Sequence, residues 1–64
     1  MNMKKYKEWY ILTKEEKDGK WWCAVAGKNT KGQISQFLKY EKSGKKTKEV
    51  AITTCEKFID KKLC

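Results

Sequence analysis

The apolar residues in the last quarter of the chain recur with the period of an α-helix. At about 100° per residue they fall within one arc of about 140°, and they are Ala51, Ile52, Cys55, Phe58, Ile59 and Leu63. Thr47 is a suitable N-cap, and Glu49 lies in the first turn, where a negative charge suits the helix dipole. A helix is therefore predicted over about residues 47–62. An amphipathic helix cannot bury its apolar stripe alone, so the preceding residues must supply a second layer.

The residues before this helix have the aromatic and branched composition of β-strands, predicted over about residues 8–14, 20–26 and 33–40. Asp18-Gly19 supplies the positive φ angles of a tight hairpin turn between the first two strands. A polar turn with a glycine at each end, residues 27–32, leads to the third. We therefore predict an α+β fold in a single small domain over residues 1–64. It is a three-stranded antiparallel meander packed on one C-terminal helix, a β-β-β-α two-layer sandwich.

The charge of the chain is strongly positive and comes from one residue type. Its 64 residues include sixteen lysines and no arginine or histidine, and eight carboxylates leave a net charge of +8. An AT-rich genome would account for the lysine usage. Whatever its origin, lysine is a point charge that neutralises phosphate but lacks the planar fork with which arginine reads guanine. The composition favours salt-sensitive, weakly specific binding to a nucleic-acid backbone.

The composition argues against catalysis and metal binding. No histidine is present, and the carboxylates lie in polar contexts, so no catalytic residue is assigned. Cys23, Cys55 and Cys64 are too widely spaced for a zinc site. Cys23 and Cys55 are expected to be small buried hydrophobes, and Cys64 to be exposed and free. We predict a protein that is not an enzyme, with no cofactor, no metal and no small-molecule substrate.

No targeting or membrane segment is expected. The apolar run that follows the basic amino end is four residues long, residues 9–12, whereas a secretory signal needs about 7–15 apolar residues and a membrane span about 20. The predicted location is therefore the cytoplasm, where the thiols stay reduced.

Strand alternation divides the predicted sheet into two faces. One face is continuously apolar and is expected to pack on the helix; it carries Trp21, Cys23, Val25, Ile34, Leu38 and Tyr40. The other face is left uncovered and carries Trp22, Ala24, Ala26, Ser35, Phe37 and Lys39. In the first strand, alternation separates Trp9, Ile11 and Thr13 from Tyr10, Leu12 and Lys14 without deciding which set faces the helix.

The uncovered face places two rings, Trp22 and Phe37, beside Lys39. Aromatic rings on a basic sheet can stack on bases while lysines hold phosphates. The same apolar patch is also suited to a homodimer or another protein partner. In a third interpretation the amino-terminal residues fold back and cover the rings. These three interpretations stay open at the level of sequence.

Lysines are densest between the predicted third strand and the helix. Residues 39–48 hold five lysines and one glutamate, typical either of a solvated loop or of a phosphate-binding run beside a helix N-terminus. The candidate nucleic-acid-binding residues are Lys14, Lys20, Trp22, Lys28, Lys31, Ser35, Phe37, Lys39, Lys45, Lys46 and Lys48. The helix carries Glu49, Glu56 and Asp60 on one flank, so we expect it to be a scaffold and not to enter a DNA groove.

Four short motifs mark the ends of the predicted elements. They are Gly19-Lys20-Trp21 at the start of a strand, Lys31-Gly32 at a turn, Phe37 with Tyr40 in the third strand, and Thr47-Lys48-Glu49-Val50-Ala51 at the start of the helix. In this order, over residues 10–60, they resemble the plant APETALA-type DNA-binding domain. They are also similar to the related amino-terminal arm-binding domains of tyrosine recombinases from phages and conjugative elements.

That family places the exposed face of a three-stranded sheet in the DNA major groove. By position, the resemblance implies contacts from Trp22, Ala24, Ala26, Ser35, Phe37 and Lys39. The family's strand arginines, which read guanine, have no counterpart here, and residues 41–46 form an additional basic loop. A second resemblance is to double-stranded-RNA-binding domains, whose lysine cluster is similar to Lys45, Lys46 and Lys48, although their leading helix has no counterpart.

Two functions are therefore weighed. The first is a small basic nucleic-acid-binding module of the kind carried by phages and mobile elements, with DNA favoured over RNA, that holds phosphates through lysines and uses aromatic contacts from the uncovered sheet face. The alternative is a protein-interaction module, either a dimeric accessory protein or an inhibitor of a host system, that uses the same face around Trp22 and Phe37.

Overall fold

The structure, a computed structural model, describes residues 2–28 and 31–63, without the side chain of residue 36. Its elements in chain order are the strands β1 (Asn2–Tyr6), β2 (Trp9–Glu15), β3 (Trp21–Lys28) and β4 (Ile34–Lys45), then the helix α1 (Lys48–Phe58), which continues into a wider π-helical turn, Ile59–Leu63. The strands form one antiparallel sheet in the order β1-β2-β3-β4. The α+β class and the C-terminal helix beside an antiparallel meander are confirmed. The prediction of three strands is wrong, because a fourth strand precedes them.

That additional strand, β1, is an edge strand joined to β2 by a two-residue link. Tyr6 pairs with Trp9, and Lys7 in the link has a φ angle of 56°, a left-handed conformation that residues other than glycine rarely adopt. The link therefore lacks the Gly, Asn or Asp by which such a hairpin is normally recognised. Because β1 extends the sheet sideways, residues 2–6 do not fold over Trp22, and the interpretation in which they cover the rings is wrong.

The predicted turn between β2 and β3 is confirmed, with one difference in its conformation. The backbone N–H of Gly19 donates to the carbonyl of Glu16 at 3.0 Å, and that of Glu16 donates to the carbonyl of Lys20 at 2.7 Å. Gly19 has a φ angle of 83°, whereas Asp18 is outside the left-handed region and its carboxylate accepts from the backbone N–H of Lys20 at 3.0 Å. The loop therefore needs one left-handed residue, as in a three-residue hairpin, and not two.

Strand β4 is longer than predicted and its pairing with β3 is irregular. Val25 pairs with Tyr40 but Ala26 pairs with Leu38, so Lys39 is an extra residue in β4. Paired residues share a face of a sheet, so this bulge puts Leu38 on the side away from α1 and corrects its predicted helix-facing position. Residues 41–45, predicted as part of a loop, continue the strand to Lys45 through a second irregularity, and Gly44 with a φ angle of 73° lies in this stretch.

The start of α1 is as predicted. Thr47 is extended, and its hydroxyl oxygen accepts from the backbone N–H of Val50 at 3.2 Å, which satisfies a donor that the first helical turn leaves open. Glu49 lies in the first turn and Lys57 in the last, the signs that the helix dipole favours. In the part of the chain that the structure describes, no helix is long and apolar enough to cross a bilayer.

The core lies between α1 and one face of the sheet. Its fully buried members are Ile11, Cys23, Val25, Ala51, Cys55 and Ile59, and Trp9, Trp21, Tyr40, Ile52 and Phe58 are among the half-buried residues packed around them. Trp9 and Ile11 are in this layer, so the undecided face of β2 is settled: Tyr10, Leu12 and Lys14 point away from the helix. The predicted burial of Cys23 and Cys55 is confirmed, and Cys64 lies outside the described residues.

Gly27 is not a turn residue, contrary to its predicted role at the start of a polar turn. It lies within β3, and a Cβ atom built on it would lie 2.9 Å from Cζ3 of Trp9. The absence of a side chain at this position therefore lets the Trp9 indole lie directly on the strand.

Candidate nucleic-acid interface

We refer to the side of the sheet away from α1 as the outer face. Pairing between the four strands assigns to it Met3, Lys5, Tyr10, Leu12, Lys14, Trp22, Ala24, Ala26, Lys28, Ile34, Leu38 and Glu41. The predicted helix-facing position of Ile34 is therefore wrong, because the irregular pairing of β4 places it opposite Lys28. It is the uncovered face expected from strand alternation, widened by β1 on one side and changed at β4 by the bulge.

The centre of the outer face is built from two alanines with larger neighbours. Ala24 lies between Leu12 and Glu41, and Ala26 lies between Tyr10 and Leu38. Both alanines are fully buried although no helix covers them. The side chains on β2 and β4 therefore close over the alanines, and the outer face is an apolar surface without a deep cleft.

Each of the two rings on the outer face has lysines beside it. Lys14 is paired with Trp22, Lys5 is paired with Tyr10, and Lys28 Nζ lies 5.8 Å from the centre of the Tyr10 ring. The lysines are exposed and the rings are half-buried. Three lysines and one glutamate, Glu41, leave this face with a net positive charge, so rings and cations are combined as a polyanion-binding surface requires.

The orientation of Trp22 is fixed by a hydrogen bond. Its indole Nε1–H donates to Oε2 of Glu41 at 2.8 Å. An open groove of about 560 Å³ lies beside the ring and is lined by Lys14, Glu15, Glu16, Lys17 and Trp22. Glu16 also accepts from the backbone N–H of Gly44 at 2.9 Å, which ties the β2–β3 loop to the second irregularity of β4. The ring is therefore held at the rim of the groove, with its edge occupied by Glu41.

Some of the predicted binding residues are brought together and others are not. Lys14, Trp22 and Lys28 share the outer face. Lys39 is the exposed bulge residue. Phe37 is 84% exposed and has no partner residue in β3, because its neighbour Leu38 takes the position opposite Ala26. Leu38, and not Phe37, therefore faces Ala26.

The remaining predicted residues lie around the periphery. Ser35 is half-buried, and its hydroxyl accepts from the backbone N–H of Phe37 at 3.1 Å, so it shapes the start of β4. Lys20 and Lys31 are exposed in the two turns that flank β3. Lys45 pairs with Trp21, which places it on the helix side of the sheet, and Lys46 and Lys48 follow it toward α1.

Sequence reasoning did not place seven residues on the outer face, and these are Met3, Lys5, Tyr10, Leu12, Ile34, Leu38 and Glu41. Met3 and Lys5 belong to the strand that was not predicted. Leu38 was predicted on the opposite face, and Glu41 was predicted in a loop; the irregular pairing of β4 places both on the outer face. Tyr10 and Leu12 were undecided residues of β2, and their alternation with Ile11 would have identified both once the core was known.

The acidic flank of the helix is used inside the molecule. Lys4 Nζ lies 2.9 Å from Oε2 of Glu56, and Lys7 Nζ lies 2.6 Å from Oδ1 of Asp60. The Tyr6 hydroxyl donates to both oxygens of Asp60 at 3.1 Å. The Lys7 ammonium and, less strongly, Tyr6 hold the pKa of Asp60 below its ordinary value, while burial and the Asp60 carboxylate raise the pKa of Tyr6. These contacts dock α1 on β1.

Comparison with family models, with curated proteins and with solved structures gives no match for this chain. The functional argument therefore depends on the geometry of the outer face and on the distribution of charge.

Proposed function

We propose that this chain is a small nucleic-acid-binding module whose outer face contacts the ligand. Lysines at the margins hold phosphates, and the Trp22 and Tyr10 rings contact bases or sugars. The observation that supports this proposal is the arrangement of Lys14 beside Trp22 and of Lys5 and Lys28 beside Tyr10, on a sheet face that the helix leaves uncovered.

The chemistry of the basic residues determines what such a module reads. All sixteen cations are lysines, which neutralise phosphates without recognising a base edge through two bonds. Binding is therefore expected to depend on backbone charge and ring stacking, with weak sequence preference and with DNA as the favoured ligand. A module of phage or mobile-element origin fits this description.

Fluorescence anisotropy with a 20-nucleotide single strand of thymidines tests the role of the Trp22 ring. We expect Trp22→Ala to weaken binding by about 1–3 kcal/mol, roughly 5-fold to 150-fold, because one stacked base is lost. Trp22→Phe is the matched control: it keeps a ring but removes the bond to Glu41, and it should retain most of the affinity. Equal affinities for wild type and Trp22→Ala would contradict the proposed contact.

The same assay with a 20-base-pair DNA duplex tests the lysines. Lys14→Ala and Lys28→Ala should each lower the slope of log affinity against log salt by about 0.9, the value for one lost phosphate contact. Lys4→Ala removes an equal charge from the other side of the sheet, where Lys4 is paired with Glu56, and should leave the slope unchanged. An RNA duplex run in parallel measures the preference between the two nucleic acids.

A second candidate, a protein-interaction module, is favoured by the aliphatic part of the outer face. The side chains of Met3 and Leu38 are 56% and 37% exposed, and neither can stack on a base. Sedimentation at increasing protein concentration tests this candidate. A dimer that Leu38→Lys disrupts, together with no nucleic-acid binding at physiological salt, would favour the interaction module over the proposed function.

A further inference from the structure

The two flanks of α1 differ in how their charges are used. On the β1 side, Glu56 and Asp60 are bound by Lys4, Tyr6 and Lys7. On the β4 side, three exposed lysines of the helical segment, Lys57, Lys61 and Lys62, line a groove with Tyr40, and the described contacts do not direct them toward β1. Two of the three carboxylates of the helical segment are therefore compensated at one edge of the sheet, and positive charge accumulates at the other edge. The third, Glu49, lies in the first helical turn and lines a separate groove with Lys57.

A groove follows the contact between α1 and β4 at this positive edge. It has a volume of about 280 Å³, and it is lined by Tyr40, Thr54, Lys57, Phe58, Lys61 and Lys62. We refer to it as the basic groove. Within the described part of the chain, its lining residues include three lysines and no carboxylate.

The wall of the basic groove is a pair of stacked rings. The centres of the Tyr40 and Phe58 rings are 4.1 Å apart with 16° between their planes. Both rings are half-buried against the core. A fourth cation approaches from the strand, since Lys42 Nζ lies 5.8 Å from the centre of the Tyr40 ring. Rigid apolar walls beside exposed ammonium groups concentrate a positive field, because the low-dielectric wall screens the charges less than water does.

The carboxylates nearest in sequence to this groove are held elsewhere. Glu41 accepts the Trp22 indole on the outer face, although it precedes Lys42. Asp60 accepts from Lys7 and Tyr6 at the β1 edge, although it precedes Lys61. Two strands, β2 and β3, therefore lie between the edge that binds Glu56 and Asp60 and the strand that carries Lys42. The field of the basic groove is not neutralised by these sequence neighbours.

From this separation of the lysines from the carboxylates, we infer that the basic groove is a second contact site for the phosphodiester backbone of a nucleic acid. It lies on the opposite side of β4 from the outer face. Lys42, Lys57, Lys61 and Lys62 hold the phosphates, and the stacked pair of rings keeps the groove open. The identity of the ligand rests on the proposed function, but the surface is a different one. A strand that reaches both sites passes over the exposed Lys39 at the β4 edge.

The test compares two double variants that each lose two positive charges. One loses them from the basic groove, and the other loses them from the β1 side, where Lys4 and Lys7 contact the helical segment. Binding of a 20-base-pair DNA duplex is measured over a range of salt for Lys57→Ala/Lys61→Ala and for Lys4→Ala/Lys7→Ala. For the first variant we expect a slope lower by about 1.8, two phosphate contacts, and roughly tenfold weaker binding at low salt. For the second, which also uncovers Glu56 and Asp60, we expect an unchanged slope. Equal slopes for wild type and the first variant would overturn the inference.

Chemical-shift mapping on the wild-type protein provides a measurement that needs no variant to fold. Titration with the same duplex should shift the backbone amides of Tyr40, Lys57, Phe58 and Lys61. If only the Trp22 indole and its outer-face neighbours shift, the basic groove is not a contact site and the proposed function stands. If only the groove amides shift, the outer-face proposal fails and the groove is supported. Absence of shifts from both duplex and single strands at low salt overturns both.

Discussion

Lys7 joins two strands in a backbone conformation that a lysine rarely adopts. Its φ angle of 56° brings Cβ close to the following carbonyl, and its side chain bonds to Asp60 at 2.6 Å. The strain costs on the order of 1–2 kcal/mol, whereas an exposed ion pair contributes about 1 kcal/mol or less. The position therefore combines a backbone penalty with a useful side-chain contact to the helix.

Substitution of Lys7 by glycine and by alanine separates these two effects. Both variants lose the bond to Asp60, and only Lys7→Ala keeps the clash of Cβ with the carbonyl. We expect Lys7→Gly to be more stable than Lys7→Ala by about 1 kcal/mol, the reverse of the usual order. Urea denaturation of the two variants measures the difference. A more stable alanine variant would show that the strain is negligible.

Cys55 gives the folded protein a dependence on alkaline pH. Burial, and then the neighbouring Cys23 thiol, raise the pKa of Cys55 well above its ordinary value of 9.0. The folded state keeps the proton while the unfolded chain releases it, so stability that is complete below pH 9.0 is lost as the pH rises. We expect the free energy of unfolding to fall by up to about 1.4 kcal/mol per pH unit there.

The control for this pH dependence is Cys55→Ala. Since burial also raises the pKa of Tyr40, the wild-type slope includes other groups. The difference between the wild-type and Cys55→Ala slopes of unfolding free energy against pH isolates the thiol, and we expect it to correspond to about one proton. Urea denaturation at steps of pH above neutrality measures both, and identical slopes would contradict the assignment.

At the scale of secondary-structure elements, the packing of β2 on β3 depends on a strand glycine. The Trp9 indole lies over Gly27, so the ring can reach the core while the two strands stay paired. The helix is then docked from two directions: by its apolar stripe on the core, and by Glu56 and Asp60 on β1. The edge strand β1 is stabilised mainly through its pairing with β2 and through these polar contacts.

A double-mutant cycle tests the contact between Trp9 and Gly27. Gly27→Ala places a methyl group 2.9 Å from Cζ3 of Trp9, and we expect it to destabilise the fold by about 1–3 kcal/mol through overpacking. In a Trp9→Leu background the ring is gone, so the same change should cost less than about 0.5 kcal/mol. Thermal denaturation of the four proteins gives the coupling energy. An equal cost in both backgrounds would locate the strain elsewhere.

At the scale of the whole molecule, a net charge of +8 is carried by a chain with a radius of gyration of 11.3 Å. Self-repulsion at this density destabilises the compact state by roughly a few kcal/mol in low salt. The two ion pairs between β1 and the helix are exposed and offset at most about 1 kcal/mol each. Repulsion is therefore the larger effect, and the positive charge is retained at a cost in stability.

Salt should therefore act in opposite directions on folding and on nucleic-acid binding. Raising sodium chloride from about 20 mM to about 200 mM shortens the Debye length from about 20 Å to about 7 Å. We expect the free energy of unfolding to rise by on the order of 1 kcal/mol, a shift of about 4–8 °C in the melting temperature, while affinity for DNA falls. A Lys17→Gln/Lys20→Gln variant has two charges fewer and should show a smaller rise. A fall in melting temperature would mean that ion pairs dominate.

Three particular misjudgements show where prediction from the sequence ended. β1 has no turn signal, because the residue at the left-handed position of its link is Lys7. Gly27 resembles a turn glycine, and only the position of Trp9 shows why a side chain is excluded. Leu38 keeps the alternation of a helix-facing residue, and only the extra residue Lys39 moves it to the outer face. The Gly27 and Leu38 cases depend on Trp9 and Ala26, which are distant in the chain, whereas the β1 case depends on a backbone conformation that lysine rarely adopts.

Local signals in the sequence are enough to specify some of the elements. The helix, its Thr47 cap and the β2–β3 turn at Gly19 follow from side chains within a few residues of one another. The fourth strand, the β4 irregularities and the pairing of Glu56 and Asp60 with Lys4 and Lys7 become visible only in the packed chain. Capping and turn geometry are set by short-range contacts, whereas strand register and charge pairing minimise the free energy of the whole packed chain. The outer face and the basic groove both result from strand register and charge pairing, so neither could be read from local signals.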